Sequence, residues 1–210
     1  MKLLTFAPIA ILLATSGALT VMATEEAEYK VIKAEKKFEI RDYASHILAE
    51  IMISGSLEGA GNQAFRPLFK YISGDNLKNE KLAMTAPVSQ QAAGEKISMT
   101  APVSQQAAGD GWAVSFMMPA SYNMKTIPQP KNPAVKLRLV SAHRMAAIRY
   151  SGFWSKNRYN KHKHKLEEWM KLNGLTAVGD PVWARYNPPF TPWFMRRNEI
   201  LIPITAKQAN

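Results

Sequence analysis

The sequence predicts an α+β protein, two βαββ-like halves that form a curved antiparallel sheet or barrel with two helices. Three observations carry this. Strand-type runs alternate with only two helical stretches between Tyr29 and Ile204. Each helical stretch has a single apolar stripe, which a sheet must cover. The order strands, helix, strands occurs twice.

Tyr29–Ala34, Phe38–Asp42 and His46–Ser54 read as short strands, and in the third His46, Leu48, Glu50 and Met52 share one face. Leu57–Ile72 changes to helical spacing, with Leu57, Ala60, Ala64, Phe65, Leu68, Phe69 and Ile72 in one stripe. Ser56 is placed to cap this helix and Gly74 to end it. Pro67 falls inside it, where proline removes a backbone donor and crowds the preceding turn, so a kink or a later start is expected. Trp112–Pro119 reads as a strand, Ile127–Pro133 as a connection, and Val135–Val140 and Met145–Ser151 as further strands. Ser155–Asn173 is the second helix, with Tyr159, Leu166, Trp169, Met170 and Asn173 on one side and Gly174 at its end. Val182–Tyr186 and Glu199–Ile204 are the last strands. The loop Asn187–Asn198 between them is rich in aromatics and proline.

A fifteen-residue tandem duplication interrupts this order: EKLAMTAPVSQQAAG at Glu80–Gly94 is followed at once by EKISMTAPVSQQAAG at Glu95–Gly109. Each copy reads as a strand followed by a polar, Gly-terminated turn. Two copies of so short a period are too few for a solenoid, so the second is expected to add a hairpin within one domain, with turns at Ala92–Gly94 and Ala107–Gly111.

The chain has 210 residues and 47% hydrophobic content, enough for one domain with a real core. Residues 1–23 differ in kind. Lys2 is their only charge, Leu3–Leu19 is nearly all apolar or small, and Val21-Met22-Ala23 offers small residues before a cleavage point. This is the layout of an export signal, which leaves 24–210 as the mature domain in the periplasm or cell envelope. The alternative is an uncleaved membrane anchor, since about 20 apolar residues span a bilayer. The absence of cysteine excludes disulfides, thiolate metal sites and a cysteine nucleophile. The formal charge of +11 favours an anionic partner, and export makes nucleic acid a poor one. Lys156, Arg158, Lys161, His162, Lys163, His164 and Lys165 load the first half of the second helix with cations, against the helix dipole. Either this face meets an anionic surface, or it is simply solvated, with Lys165 paired to Glu168.

No nucleophile motif, phosphate loop or zinc-hydrolase motif is present, so no enzymatic activity is expected. None of the four histidines, His46, His143, His162 and His164, has metal-site spacing, and no iron ligand is assigned.

AFRPLFKYI after a helical lead-in, KLAMTAPV and KISMTAPV, GWAVSFMMP, VKLRLV, AAIRYSGFWS, a helix ending in NGL, and ARYNPPFTPWFMRRNEI follow in order from about Tyr29 to Ile204. This ordered set resembles the SOUL heme-binding protein family. The resemblance implies a distorted antiparallel barrel of two βαββ halves and the binding of heme or related tetrapyrroles. It places contacts on the first helix, at Arg66, Phe69 and Lys70, and in the last loop, at Tyr186, Phe190, Trp193, Phe194, Arg196 and Arg197. The chemistry suits these residue types: aromatic rings cover a flat apolar face, and guanidinium or ammonium groups meet propionates. Competing structural roles stay open. Phe69 lies on the apolar stripe, Tyr186 and Phe190 could cover a sheet edge, and Arg196 or Arg197 could pair with Glu199. A general amphiphile- or effector-binding domain and a membrane-tethered interaction protein are the alternative functions.

Overall fold

The computed structural model describes residues 25–83, 85–86, 88–93, 111–187 and 190–205. The expected export segment and the second repeat copy lie outside the described residues, as does most of the hairpin expected from that copy. The described chain runs β1 (Glu25–Glu26), β2 (Tyr29–Glu35), β3 (Phe38–Tyr43), β4 (His46–Ser54), α1 (Leu57–Ile72), β5 (Thr85–Ala86), β6 (Val88–Ala93) and β7 (Gly111–Met117). It continues with β8 (Lys136–Val140), β9 (His143–Tyr150), α2 (Lys156–Leu172), β10 (Val182–Arg185) and β11 (Asn198–Ile204).

Nine strands form one antiparallel sheet in the order β2-β3-β9-β11-β10-β6-β7-β4-β8, while β1 and β5 make a two-residue parallel pair. The α+β class is as the sequence predicts. The distorted barrel that the family resemblance implies is not found: the sheet is open, with β2 and β8 as its edges. Both edges carry charge, Lys30, Lys33 and Glu35 on β2 and Lys136 and Arg138 on β8, which discourages further strand pairing.

One long ribbon dominates the sheet. β3 pairs β9 with Tyr43 opposite His143, and β4 pairs β8 with His46 opposite Val140. Both strands bend over two residues, Ala44-Ser45 and Ser141-Ala142, and the register continues across the bend.

The helices cover one face of the sheet. α1 packs on β4 and β7, and its Ala60, Ala64, Leu68, Tyr71 and Ile72 meet Ile47, Ala49, Ile51, Val114 and Phe116. The two fully buried alanines let the helix lie close to the strands. α2 packs on β9 and β11, burying Tyr159, Leu166, Trp169 and Met170 against Ile148, Trp183, Ile200 and Ile202. Against expectation, α1 runs unbroken through Pro67 and starts at Leu57, where the Ser56 hydroxyl accepts from Gly59 N at 3.1 Å. α2 starts after Ser155, whose hydroxyl caps it the same way. On α2, Lys163 pairs with Glu167 and the His164 ring lies 3.2 Å from Glu168, so the expected Lys165–Glu168 pairing gives way to i,i+4 contacts.

The first repeat copy supplies β5 and β6, and β6 pairs β7 until Ala93 meets Gly111. Ala92 and Ala93 are therefore strand, not turn. Residues 94–110 connect the two paired ends.

Candidate functional site

The site is built around Trp154, in the connection from β9 to α2. Gly152 takes a φ of +125°, a left-handed conformation that turns the chain where β9 ends. The Trp154 indole donates to Asn198 Oδ1 at 2.8 Å, and Asn198, fully buried, donates back to Gly152 O at 3.2 Å. The ring is thereby pinned between β11 and the turn. Two guanidiniums lie over it, Arg185 at 5.0 Å and Arg196 at 4.5 Å from the ring centroid.

Arg185 is only 9% exposed and also lies 5.0 Å from the buried Trp183 ring. Burial pulls its pKa down to about 10, which leaves it a cation at neutral pH. Its guanidinium rests against α1 at Gly61, where a Cβ would overlap it. This contact ties the first helix to the end of β10, next to the last loop.

Beside Trp154 the surface is aromatic. Phe153, 56% exposed, stacks on Trp193 with centroids 5.5 Å apart, and Trp193 meets Phe194 edge-on at 5.6 Å. Trp193–Met195 forms a 3-10 turn after Pro192, with Met195 N donating to Pro192 O, and the half-exposed Trp193 and the 61% exposed Phe194 project from it. Phe190 is 85% exposed. On α1, Phe65 and Phe69 stack at 5.6 Å and stay exposed, flanked by exposed Arg66 and Lys70. Phe69 is therefore surface rather than core, and Tyr71 fills the core position instead, donating to Pro128 O at 2.7 Å. The exposed rings thus form a cluster of Phe153, Trp193 and Phe194 and a separate pair, Phe65 and Phe69, on α1.

Tyr186 and Arg197 do not join this surface. They belong to a charge network on the opposite face of the sheet, centred on the fully buried Glu199. Arg41 donates to both Glu199 oxygens, at 2.7 and 3.1 Å, while Arg197 Nε donates at 3.0 Å and the Tyr186 hydroxyl at 2.8 Å. Arg197 also pairs with Glu26 at 2.8 Å and lies 3.8 Å from the Tyr186 ring centroid. Burial alone would raise the Glu199 carboxyl, but the hydrogen bonds and charge of Arg41, with Arg197 and Tyr186, more than reverse this and hold it below its ordinary value. Desolvation, with Glu199 alongside, pushes the Tyr186 hydroxyl well up. Arg197 is thus committed to this network and not to the rim.

The structure adds Phe153, Trp154, Arg185 and Gly61 to the site. The AAIRYSGFWS and ARYNPP segments contain the first three, but their spacing gives no sign that they converge. A separate cavity of about 570 Å³ lies near the ribbon bend, lined by residues including His46, Met117, Met118, Tyr122, Met124 and Leu139. Among the described residues no group of three or more His, Asp or Glu could hold a metal ion. His162 stacks on Tyr150 at 3.9 Å, and burial with its cationic neighbours pushes its pKa down to about 4.

By fold, this is a two-helix antiparallel-sheet domain. The same fold occurs in the EcmrR C-terminal domain (TM-score 0.59, 10% identity, covering 84% of this chain and 98% of that one). It also occurs in a hydrolase from Listeria innocua (TM-score 0.54, 10% identity, 83% and 94%) and in the EcmrR–DNA complex (0.57, 10%, 80% and 56%). Identities this low establish the fold alone. No curated protein matches the chain in sequence. The family profile of the SOUL heme-binding protein matches residues 24–203, and the chain belongs to that family.

Proposed function

We propose that this protein binds heme or a related tetrapyrrole on the Trp154 surface as a non-catalytic carrier, buffer or sensor, exported to the periplasm or cell envelope. Family membership supports the ligand class. The observation that carries the reading is the exposed Phe153–Trp193–Phe194 cluster with Arg196 fixed over Trp154. Rings of this size suit a porphyrin face, and a guanidinium at their border suits a propionate. Phe69, Arg66 and Lys70 offer a second set of the same chemistry on α1, joined to the first through Arg185 and Gly61. The two strand–helix–strand halves expected from the sequence belong to the same reading.

The residues fit the periphery of the group, its face and its carboxylates, and none of those on the aromatic surface is an imidazole. Recognition on this reading rests on stacking and charge. The effector-domain alternative, with a bulky cation as ligand, is disfavoured by Glu199: the buried carboxylate that could meet a cation is already matched by Arg41 and Arg197.

Titration of residues 24–210 with hemin and with metal-free protoporphyrin tests the reading. Both should quench tryptophan fluorescence at micromolar ligand with affinities within a few-fold of each other, and the porphyrin dimethyl ester should bind more weakly. No quenching and no Soret shift with either porphyrin would overturn it, as would tighter binding of cationic dyes.

A further inference from the structure

The ribbon bend brings together two histidines that lie far apart in sequence. His46 opens β4 and His143 opens β9, with ring centroids 5.8 Å apart and planes tilted by 47°. Each is held in the same way. His46 Nδ1 lies 2.9 Å from Ala44 O, and His143 Nδ1 lies 2.8 Å from Ser141 O. A carbonyl oxygen only accepts, so both Nδ1 atoms donate, and Nε2 is the nitrogen that each ring has left for a metal. Metal-binding imidazoles are oriented in this manner, the distal ring nitrogen donating to a backbone carbonyl.

The surroundings hold both rings in place. Tyr43 stacks on His143 at 5.7 Å and fixes its plane. The neighbouring guanidiniums are matched, Arg138 by Glu50 at 2.8 Å and Arg144 by Asp42 at 2.6 Å. Ring centroids 5.8 Å apart are close enough for one ion, about 2 Å from a nitrogen of each ring, to bridge the pair. His46 also lines the 570 Å³ cavity, whose walls include Glu28, Met117, Met118 and Met124, leaving room for water or a further ligand.

We propose that His46 and His143 form a transition-metal site at the ribbon bend, one that takes an imidazole-seeking divalent ion, copper(II) ahead of zinc(II). It is separate from the tetrapyrrole surface and does not depend on it.

The test uses residues 24–210 without a polyhistidine tag, titrated with copper(II) and followed by electron paramagnetic resonance and calorimetry. One equivalent should bind with hyperfine coupling to two imidazole nitrogens. His46→Gln and His143→Gln should each weaken binding at least about tenfold, as loss of a ligand or its support does, whereas His162→Gln and His164→Gln should not. In the unaltered chain, one equivalent of copper should shield His46 and His143 from diethyl pyrocarbonate, read by mass spectrometry, so the answer does not depend on variants that fold. Unchanged affinity in both ligand variants, or no shielding of either ring at saturating copper, overturns the proposal.

Discussion

Replacing Gly61 with alanine sets two effects against each other. Alanine favours a helix interior over glycine by about 0.5–1 kcal/mol, so on propensity alone the variant gains stability. The Arg185 guanidinium occupies the space a Cβ would need. A guanidinium is usually free to swing away, but this one is buried between Trp154 and Trp183, with each ring centroid 5.0 Å distant. Overpacking of this kind costs about 1–3 kcal/mol. The cost wins, and a net loss of about 1–2 kcal/mol is expected. For a domain of this size that corresponds to a fall in Tm of about 2–8 °C. Thermal unfolding by circular dichroism measures it, and Arg185→Ala supplies the second arm. Without the guanidinium, Gly61→Ala should be neutral or stabilising, giving a coupling of about 1–2 kcal/mol across the double-mutant cycle. A Gly61→Ala protein that melts higher than the parent, or that loses the same stability in both backgrounds, refutes the link between α1 and β10 through Arg185.

Trp193→Ala combined with Phe194→Ala should weaken hemin binding at least about tenfold by fluorescence titration, with little change in Tm, because both rings are largely exposed. Arg197→Ala should do the reverse, lowering Tm and sparing hemin affinity, since its partners are Glu199 and Glu26. Glu199→Ala leaves the buried Arg41 without its main partner and should cost about 3–5 kcal/mol in urea unfolding. His162 supplies a pH signature: its folded pKa lies near 4, below the ordinary 6.5, so the unfolded chain binds the proton first. Stability should therefore fall as pH drops from 6.5 toward 4, and His162→Phe should flatten that slope. Glu199 and Asp42, both held low, add their losses only below the ordinary carboxylate range. Deleting Glu95–Gly109 joins Ala93 to Gly111 through Gly94-Asp110, a two-residue turn with glycine first, and should preserve the fold and raise stability by roughly 1–2 kcal/mol.

Much of this was legible in the sequence because periodicity reports burial. The stripe of α1 placed Ala60, Ala64, Leu68 and Ile72 correctly in the core. It failed at its borders, where Phe65 and Phe69 proved exposed and Tyr71 buried, because the sequence does not say how far a helix is rotated on its sheet. The open sheet was hidden for a related reason: strand-like runs do not tell which strands are left as edges. In the candidate site, the aromatic loop announced itself by composition. Arg185 did not, since nothing in Val182–Arg185 places a guanidinium between two indoles and a glycine of α1. The pairing of Arg197 with Glu199 was one of the roles that the sequence left open; the rest of the network, with Arg41 and Tyr186 around that carboxylate, comes largely from distant segments. His46 and His143 meet only through strand pairing.

The bent ribbon bears on how the chain acquires its structure. It pairs residues 38–50 with residues 136–148, so its closure spans most of the domain. It also crosses the helices' territories: β8, which follows α1 in the chain, completes the strands beneath α1, and β3, which precedes α1, lies beneath α2. Neither helix can finish its contacts from its own side of the sequence. Folding should then be slow and governed by non-local pairing, with both helices consolidating in one cooperative step. A nascent chain that ends before β8 leaves β4 with a bare edge, and its first helix waits for a strand not yet made.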